Sequence, residues 1–233
     1  MSRLDAFTVT VSEKTTWIFL RLTGDDGATG VGEATLNNRT EEVLAALPKA
    51  VDALTQGSFS AASRLAAVRN AIPGVVGRVL ASAIEQAWLD REGLRLARPV
   101  HALLGGAYRD LVPCYANINR GTLSRTPDEF ADRAALAISD GYGAVKLAPF
   151  DEVTPDAPDA AQRDTAIAAG FERIEAVVRR LEGTGTVQVD CHSRFRASEA
   201  GHILDRIAAA GVVWFEEPLA ETSDAYETIA ALR

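Results

Sequence analysis

The sequence has only two cysteines, Cys114 and Cys191, and they are not spaced as CxxC. A disulfide scaffold and a cysteine-built zinc module are both excluded as organising principles. The pair reads as reduced thiols of a cytoplasmic protein. No run approaches about 20 apolar residues, so no segment reads as a membrane span. The opening MSRLDAFTVT has no apolar block behind its basic start and lacks the pattern of a secretion signal. Basic residues are in deficit, with 24 Lys and Arg against 32 Asp and Glu, a formal net charge of -8. That balance argues against a nucleic-acid binder, which neutralises phosphates with clustered cations. No GxGxxG follows the first parallel strand and no Walker A pattern occurs, so a nucleotide-binding doubly wound fold has no support. What is present is 47% hydrophobic and 24% charged residues over 233 positions. Such a chain can bury one large core or two modest ones.

The opening segment has the rhythm of a strand meander. Phe7, Val9 and Val11 alternate with polar residues, the period-2 signature of a strand. A second run spans Trp17 to Leu22 and a third Thr29 to Ala34, with the turn Gly24-Asp25-Asp26-Gly27 between them. Residues 40–107 are Ala-rich and helical in period. Val79, Ala83 and Ala87, with Leu80, Ile84 and Trp88, form one broad apolar stripe. Meander then helices predicts a small α+β domain over 1–110.

From residue 111 strands and helices alternate. Strands are predicted at Val112 to Ile118, Gly143 to Ala148, Thr186 to Cys191 and Val212 to Glu216. Helices follow at 127–140, through Ile167, Phe171, Ile174, Val178 and Leu181, near 198–210, and near 223–232. Thr126, Pro127 and Glu129 form a capping-box start for the first of these helices, and Gly141 follows its end. Four βα units imply a parallel sheet. The connection 150–162 is longer than the usual 2–6 residues of a βα loop, which fits either a functional lid or a tolerated surface insertion.

Polar residues collect where these strands end, the edge at which parallel α/β folds place their active sites. The first strand ends in Asn117 and Asn119, the second carries Lys146, the third ends in Asp190 and His192, and the fourth in Glu216 and Glu217. Asp190 and His192 are two apart and share a face; Cys191 points the other way. Carboxylates on adjacent strand ends, with Asn nearby, make an oxygen-rich site suited to a hard cation, Mg²⁺ by preference. Without a cation, facing carboxylates would repel and be costly to desolvate. Taken singly, each residue has an ordinary structural explanation, such as a helix cap or a salt bridge. The signal is their convergence on successive strand ends.

A meander, a helical segment and βα units bearing K, D and EEP together resemble the enolase superfamily, in its mandelate racemase/muconate lactonizing branch. LTGDDGATGVGEATLNNRT resembles the capping domain's first hairpin and active-site loop, and ASAIEQAWLD with PVHALLGG its closing helix and exit into the barrel. The resemblance implies that Asp190 and Glu216 bind Mg²⁺. It also implies α-proton removal from a small carboxylate substrate, with the enolate stabilised by the cation and a neighbouring ammonium such as Lys146. Many members carry Lys-x-Lys on the second strand; here the sequence is Lys146-Leu147-Ala148, and Ala148 cannot move a proton. Asp190-Cys191-His192 resembles acid-sugar dehydratases such as galactonate and mannonate dehydratases, where this His helps a β-hydroxyl leave. TLNNR around Asn37 resembles a capping-loop segment whose Asn contacts substrate. The leading expectation is therefore a hydro-lyase with Lys146 and His192 catalytic, Asp190 and Glu216 on the metal, and Asn37, Asn117 and Asn119 on the substrate. A racemase, epimerase or lactonizing cycloisomerase is the alternative on the same scaffold; a non-catalytic α/β protein is the alternative outside it.

A closed (β/α)8 barrel takes about 250 residues. Residues 111–233 hold four strands, and a third metal ligand one unit further on would fall beyond Arg233. The expected architecture is an α+β capping domain over 1–110, then an α/β (β/α)8-type barrel of which only the first four βα units are present, over 111–233. On that expectation the chain is a piece of a longer, homo-oligomeric enzyme and is inactive or barely active by itself.

Overall fold

The structure, a computed structural model, describes residues 3–12, 15–56, 61–156 and 159–232. The chain divides into two compact units, Met1–Asp110 and Leu111–Arg233.

The first unit opens with an antiparallel meander of β1 (Arg3–Ser12), β2 (Thr15–Thr23) and β3 (Thr29–Glu33), in that order across the sheet. Four helices follow: α1 (Thr40–Gln56), α2 (Ala61–Ala71), α3 (Val75–Leu96) and the short α4 (Val100–Leu103). The β2–β3 turn closes with Gly27 N donating to Gly24 O at 3.0 Å. Gly27 sits at φ 77, which a side chain would resist. Ile18 and Leu20 point from β2 into a core shared with Leu80, Ala83 and Ile84 of α3, and Leu22, next on the same face, is also buried. Gly30 and Gly32 let β3 lie directly against α3, because a Cβ at either would collide with the Ala87 or Ala83 carbonyl. The outer edge of β3 is closed by α3: Val31 N donates to Asp90 at 2.9 Å and Glu33 N to Gln86 at 3.1 Å.

Two features of this unit differ from the sequence reading. The alternation of Phe7, Val9 and Val11 marks a strand, but these residues are 43–50% exposed. The register Phe7↔Phe19 and Val9↔Trp17 puts them on the sheet face opposite Ile18 and Leu20, where Phe7 stacks on Phe19 at 5.5 Å. Trp88 also leaves the buried stripe of α3, being 41% exposed.

The second unit is a four-stranded sheet, β4 (Ala116–Asn117), β5 (Ala144–Leu147), β6 (Thr186–Asp190) and β7 (Trp214–Glu216), in sequential order with parallel neighbours. Between successive strands run α5 (Pro127–Ser139), α6 (Ala160–Leu181) and α7 (Ala197–Ala209); α8 (Tyr226–Ala231) comes last, after a single 3-10 turn. Val145, Leu147, Val187 and Val189 pack against Phe130, Ile167, Phe171, Ile174, Ile203 and Ile207 in one core. Sequential order and helical crossovers follow from the βα alternation. No helix among the described residues is long and apolar enough to cross a membrane.

The predicted strand Val112 to Ile118 shrinks to two residues. Pro113 has no N–H to give a ladder, and Leu111, Val112 and Tyr115 are exposed. The fourth strand starts at Trp214 rather than Val212, although Val213 N already bonds Val187 O. The capping box at α5 is half formed. Thr126 accepts from Glu129 N at 3.3 Å, but Glu129 turns back to the loop instead of to its cap, taking Leu123 N, Ser124 N and Arg125 N.

The long β5–α6 connection is built in place. Phe150 and Val153 are buried, with Phe150 edge-on to Phe171 and Phe195. Its backbone carbonyls are held by arginines: Ala148 O by Arg125, Pro149 O by Arg173, Thr154 O by Arg163 and Pro155 O by Arg196. Asp159 caps α6 through Ala161 N and Gln162 N. Positions 157 and 158 of the predicted loop lie outside the described residues.

Candidate active site at the ends of the parallel strands

Parallel pairing sets the site's layout. Asp190 and Glu216 are register partners at the ends of β6 and β7, and Lys146 lies one strand over, opposite Gln188. Lys146 and Asp190 are buried, at 6% and 7% exposure. Lys146 Nζ lies 2.9 Å from both Glu216 oxygens and 3.5 Å from Asp190 Oδ2. It also stands 5.1 Å above the Tyr115 ring. Trp214 Nε1 donates to Glu216 Oε2 at 3.3 Å.

His192 completes the cluster. Its backbone N–H donates to Asp190 Oδ1 at 3.1 Å, and its Nε2 lies 3.2 Å from Asp190 Oδ2. On the other side, Nδ1 pairs with Asp151 Oδ1 at 3.2 Å, and Asp151 Oδ2 meets Arg125 at 3.1 Å. The backbone is strained here: His192, Ser193 and Glu217 hold φ of 47, 58 and 47 without being glycine. Each such residue costs about 1–3 kcal/mol, and such positions cluster at functional sites. Cross-loop bonds hold them, with Cys191 N donating to Glu216 O, Ser193 N to Glu217 O and Phe195 N to Pro218 O.

The electrostatics follow from burial and neighbours. Burial alone would lower the Lys146 pKa. Hydrogen bonds with Glu216 and Tyr115 and the charges of Glu216 and Asp190 outweigh it and push the ammonium above its ordinary range. Lys146 is thus held as a cation between two carboxylates. Cys191 faces the core, and burial, then the nearby Asp190, Glu216 and Glu217, push its thiol far up, so it is inert.

The donor set fits a hard cation. The two carboxylates converge on one positive charge, that of Lys146, and each receives a further donor, from His192 N or Trp214 Nε1. Two carboxylates are enough for Mg²⁺, which keeps several waters and takes further oxygens from a substrate. Among the described residues, no group of three or more His, Cys, Asp or Glu is disposed to hold a metal.

The structure therefore brings Lys146, Asp190, His192 and Glu216 together. Asn117 is exposed, beside Lys146 in register, and its Oδ1 accepts from Asn119 N at 3.1 Å. Asn119 commits its Oδ1 to Ala148 N, tying the end of β4 to the end of β5. Asn37 belongs to the first unit, exposed in the turn closed by Arg39 N donating to Leu36 O. Four residues of the site escaped sequence reasoning: Tyr115, Arg125, Asp151 and Trp214. Asp151 alone had a usable signal, an acid in the connection that leaves β5 at Leu147.

Comparisons with known proteins agree on one family. Residues 5–105 match the mandelate racemase / muconate lactonizing enzyme N-terminal domain, and residues 129–233 match the enolase C-terminal domain-like family. A D-galactonate dehydratase of Ralstonia pickettii is 29% identical, over 92% of this chain and 55% of its own length. A muconate cycloisomerase of Acinetobacter lwoffii is 27% identical, over 88% of this chain and 51% of its own. The crystal structure of a mandelate racemase/muconate lactonizing enzyme from a Sulfitobacter species superposes with a TM-score of 0.82 at 22% identity, over 99% of this chain and 62% of that one. The chain thus spans about half the length of the curated relatives it matches. With its meander and helices matching one domain of the family and its strand-end cluster lying in the other, the chain belongs to the mandelate racemase/muconate lactonizing branch of the enolase superfamily.

Proposed function

We propose that the chain supplies the capping domain and the first four βα units of an Mg²⁺-dependent hydro-lyase that dehydrates an acid sugar. The observation that carries this reading is His192, set two residues beyond Asp190 with Nε2 3.2 Å from that carboxylate. An imidazole at the edge of a cation site can hold a proton near neutral pH and deliver it to a departing β-hydroxyl. Asp190 and Glu216 would hold the Mg²⁺, which when bound acts as a Lewis acid toward the substrate carboxylate. Lys146 adds a fixed positive charge where negative charge develops on the substrate. Clamped by Glu216, it is a stabilising cation rather than the base that takes the α-proton. Ala148 stands where other members carry a second lysine, so that proton goes to another group.

The cycloisomerase relative favours a second reading, isomerisation on the same scaffold. The two separate on one variant. Loss of the α-proton and then of the β-hydroxyl yields an enol that becomes a keto acid, whereas isomerisation needs no leaving hydroxyl. In the whole enzyme, His192→Ala abolishes keto-acid formation from acid sugars while exchange of the α-proton with deuterated solvent continues. Equal loss of both contradicts the role given to His192.

A further inference from the structure

His192 is 45% exposed in its side chain and sits on two consecutive residues of left-handed backbone. An imidazole there can rotate unless something holds it. Two carboxylates face its two ring nitrogens, and they are not equivalent. Asp190 lies on the cation side and, on the reading above, is committed to Mg²⁺. Asp151 comes from a different loop, and its Oδ1 hydrogen-bonds Nδ1 at 3.2 Å.

Asp151 is itself fixed. Its other oxygen meets the Arg125 guanidinium at 3.1 Å. Arg125 donates to Ala148 O at 2.6 Å, lies 5.1 Å from the centre of the Phe130 ring, and has its own carbonyl held by Arg173 Nε at 2.8 Å. Arg173 is 8% exposed and also bonds Pro149 O and Glu152. A chain of contacts thus runs from the packed face of α6 through Arg125 and Asp151 to the imidazole. A carboxylate only accepts, so this bond keeps a hydrogen on Nδ1 and turns Nε2 toward the Asp190–Glu216 pair.

We propose that Asp151 is the positioning residue of His192, orienting the ring from the side away from the cation. The inference rests on the reading of His192 as the acid, and two separate measurements keep them distinguishable. The first is NMR of the 15N-histidine-labelled chain at fixed pH. The chain has three histidines, His101, His192 and His202, which keeps the spectrum assignable. The wild type shows a His192 Nδ1–H correlation. Asp151→Ala loses it and leaves His101 and His202 unmoved, and Asp151→Glu restores it. Should Asp151→Ala fail to fold, Asp151→Asn, which keeps the shape but not the charge, is read in its place and shows the same correlation shifted or broadened. A His192 ring signal unchanged in the folded variant overturns the proposal. The second measurement is turnover of acid sugars by the whole enzyme. Asp151→Ala lowers kcat about 10–100-fold with little change in KM; an unchanged kcat also overturns the proposal. If the unsubstituted enzyme turns over no acid sugar, the dehydratase reading fails, and the NMR result alone decides whether Asp151 sets the ring.

Discussion

Glu129 shows how one side chain can organise a turn. Its carboxylate accepts from the Ser124 hydroxyl and from the backbone of Leu123, Ser124 and Arg125. The Ser124 hydroxyl, then these backbone donors, lower its pKa from 4.5 to about 2. A depressed carboxylate pKa contributes stability that is complete above the unfolded value and disappears as pH falls through the folded one. The contribution is therefore present above about pH 4.5 and lost toward about pH 2. Acid titration of the unfolding midpoint checks this: Glu129→Gln flattens the pH dependence in that window. An identical acid profile for variant and parent contradicts it. Arg125, one of the turn residues so held, also braces Asp151, so the same carboxylate bears indirectly on the site.

At the scale of elements, periodicity made most helices and strands legible. Alternation located β1, the 3.6 period located α3 and α6, and a capping-box start with a glycine after the end bounded α5. Its failures have physical causes. Pattern alone cannot say which side of a strand the helices will cover, and so the exposed face of β1 was not legible. Pro113 limits β4 to two residues even though Val112 to Ile118 is apolar. The order of the β5–α6 connection could not be read at all, because spacing does not say which side chains fold back onto it. Arg125 reaches it from the turn before α5, Arg163 and Arg173 from α6, and Arg196 from the start of α7. Arg173 is the most engaged of them, bonding two carbonyls and both Glu152 oxygens. Arg173→Ala strands those carbonyls and leaves Glu152 only the longer contact to Arg125 at 3.8 Å, and is expected to destabilise the chain by about 3 kcal/mol. Urea unfolding measures the change; a loss below about 1 kcal/mol, the level of a surface pair, would mean the clamp is incidental.

Across the whole molecule, the candidate site was more legible than its supports. Lys146, Asp190, His192 and Glu216 stand at strand ends, and a parallel sheet with sequential order leaves those ends side by side. Their partners Tyr115, Trp214 and Asp151 lie on loops or at a strand's exposed start, where spacing carries no geometric information. The two family domains match in chain order, and the strand-end cluster lies in the second of them. The account stands or falls on whether that cluster takes a divalent cation. Isothermal calorimetry of the chain with Mg²⁺ asks this directly and needs no turnover. Saturable binding weakened at least about tenfold, or about 1.4 kcal/mol, by Asp190→Asn and again by Glu216→Gln is the predicted result. Affinity that both substitutions leave untouched would contradict it.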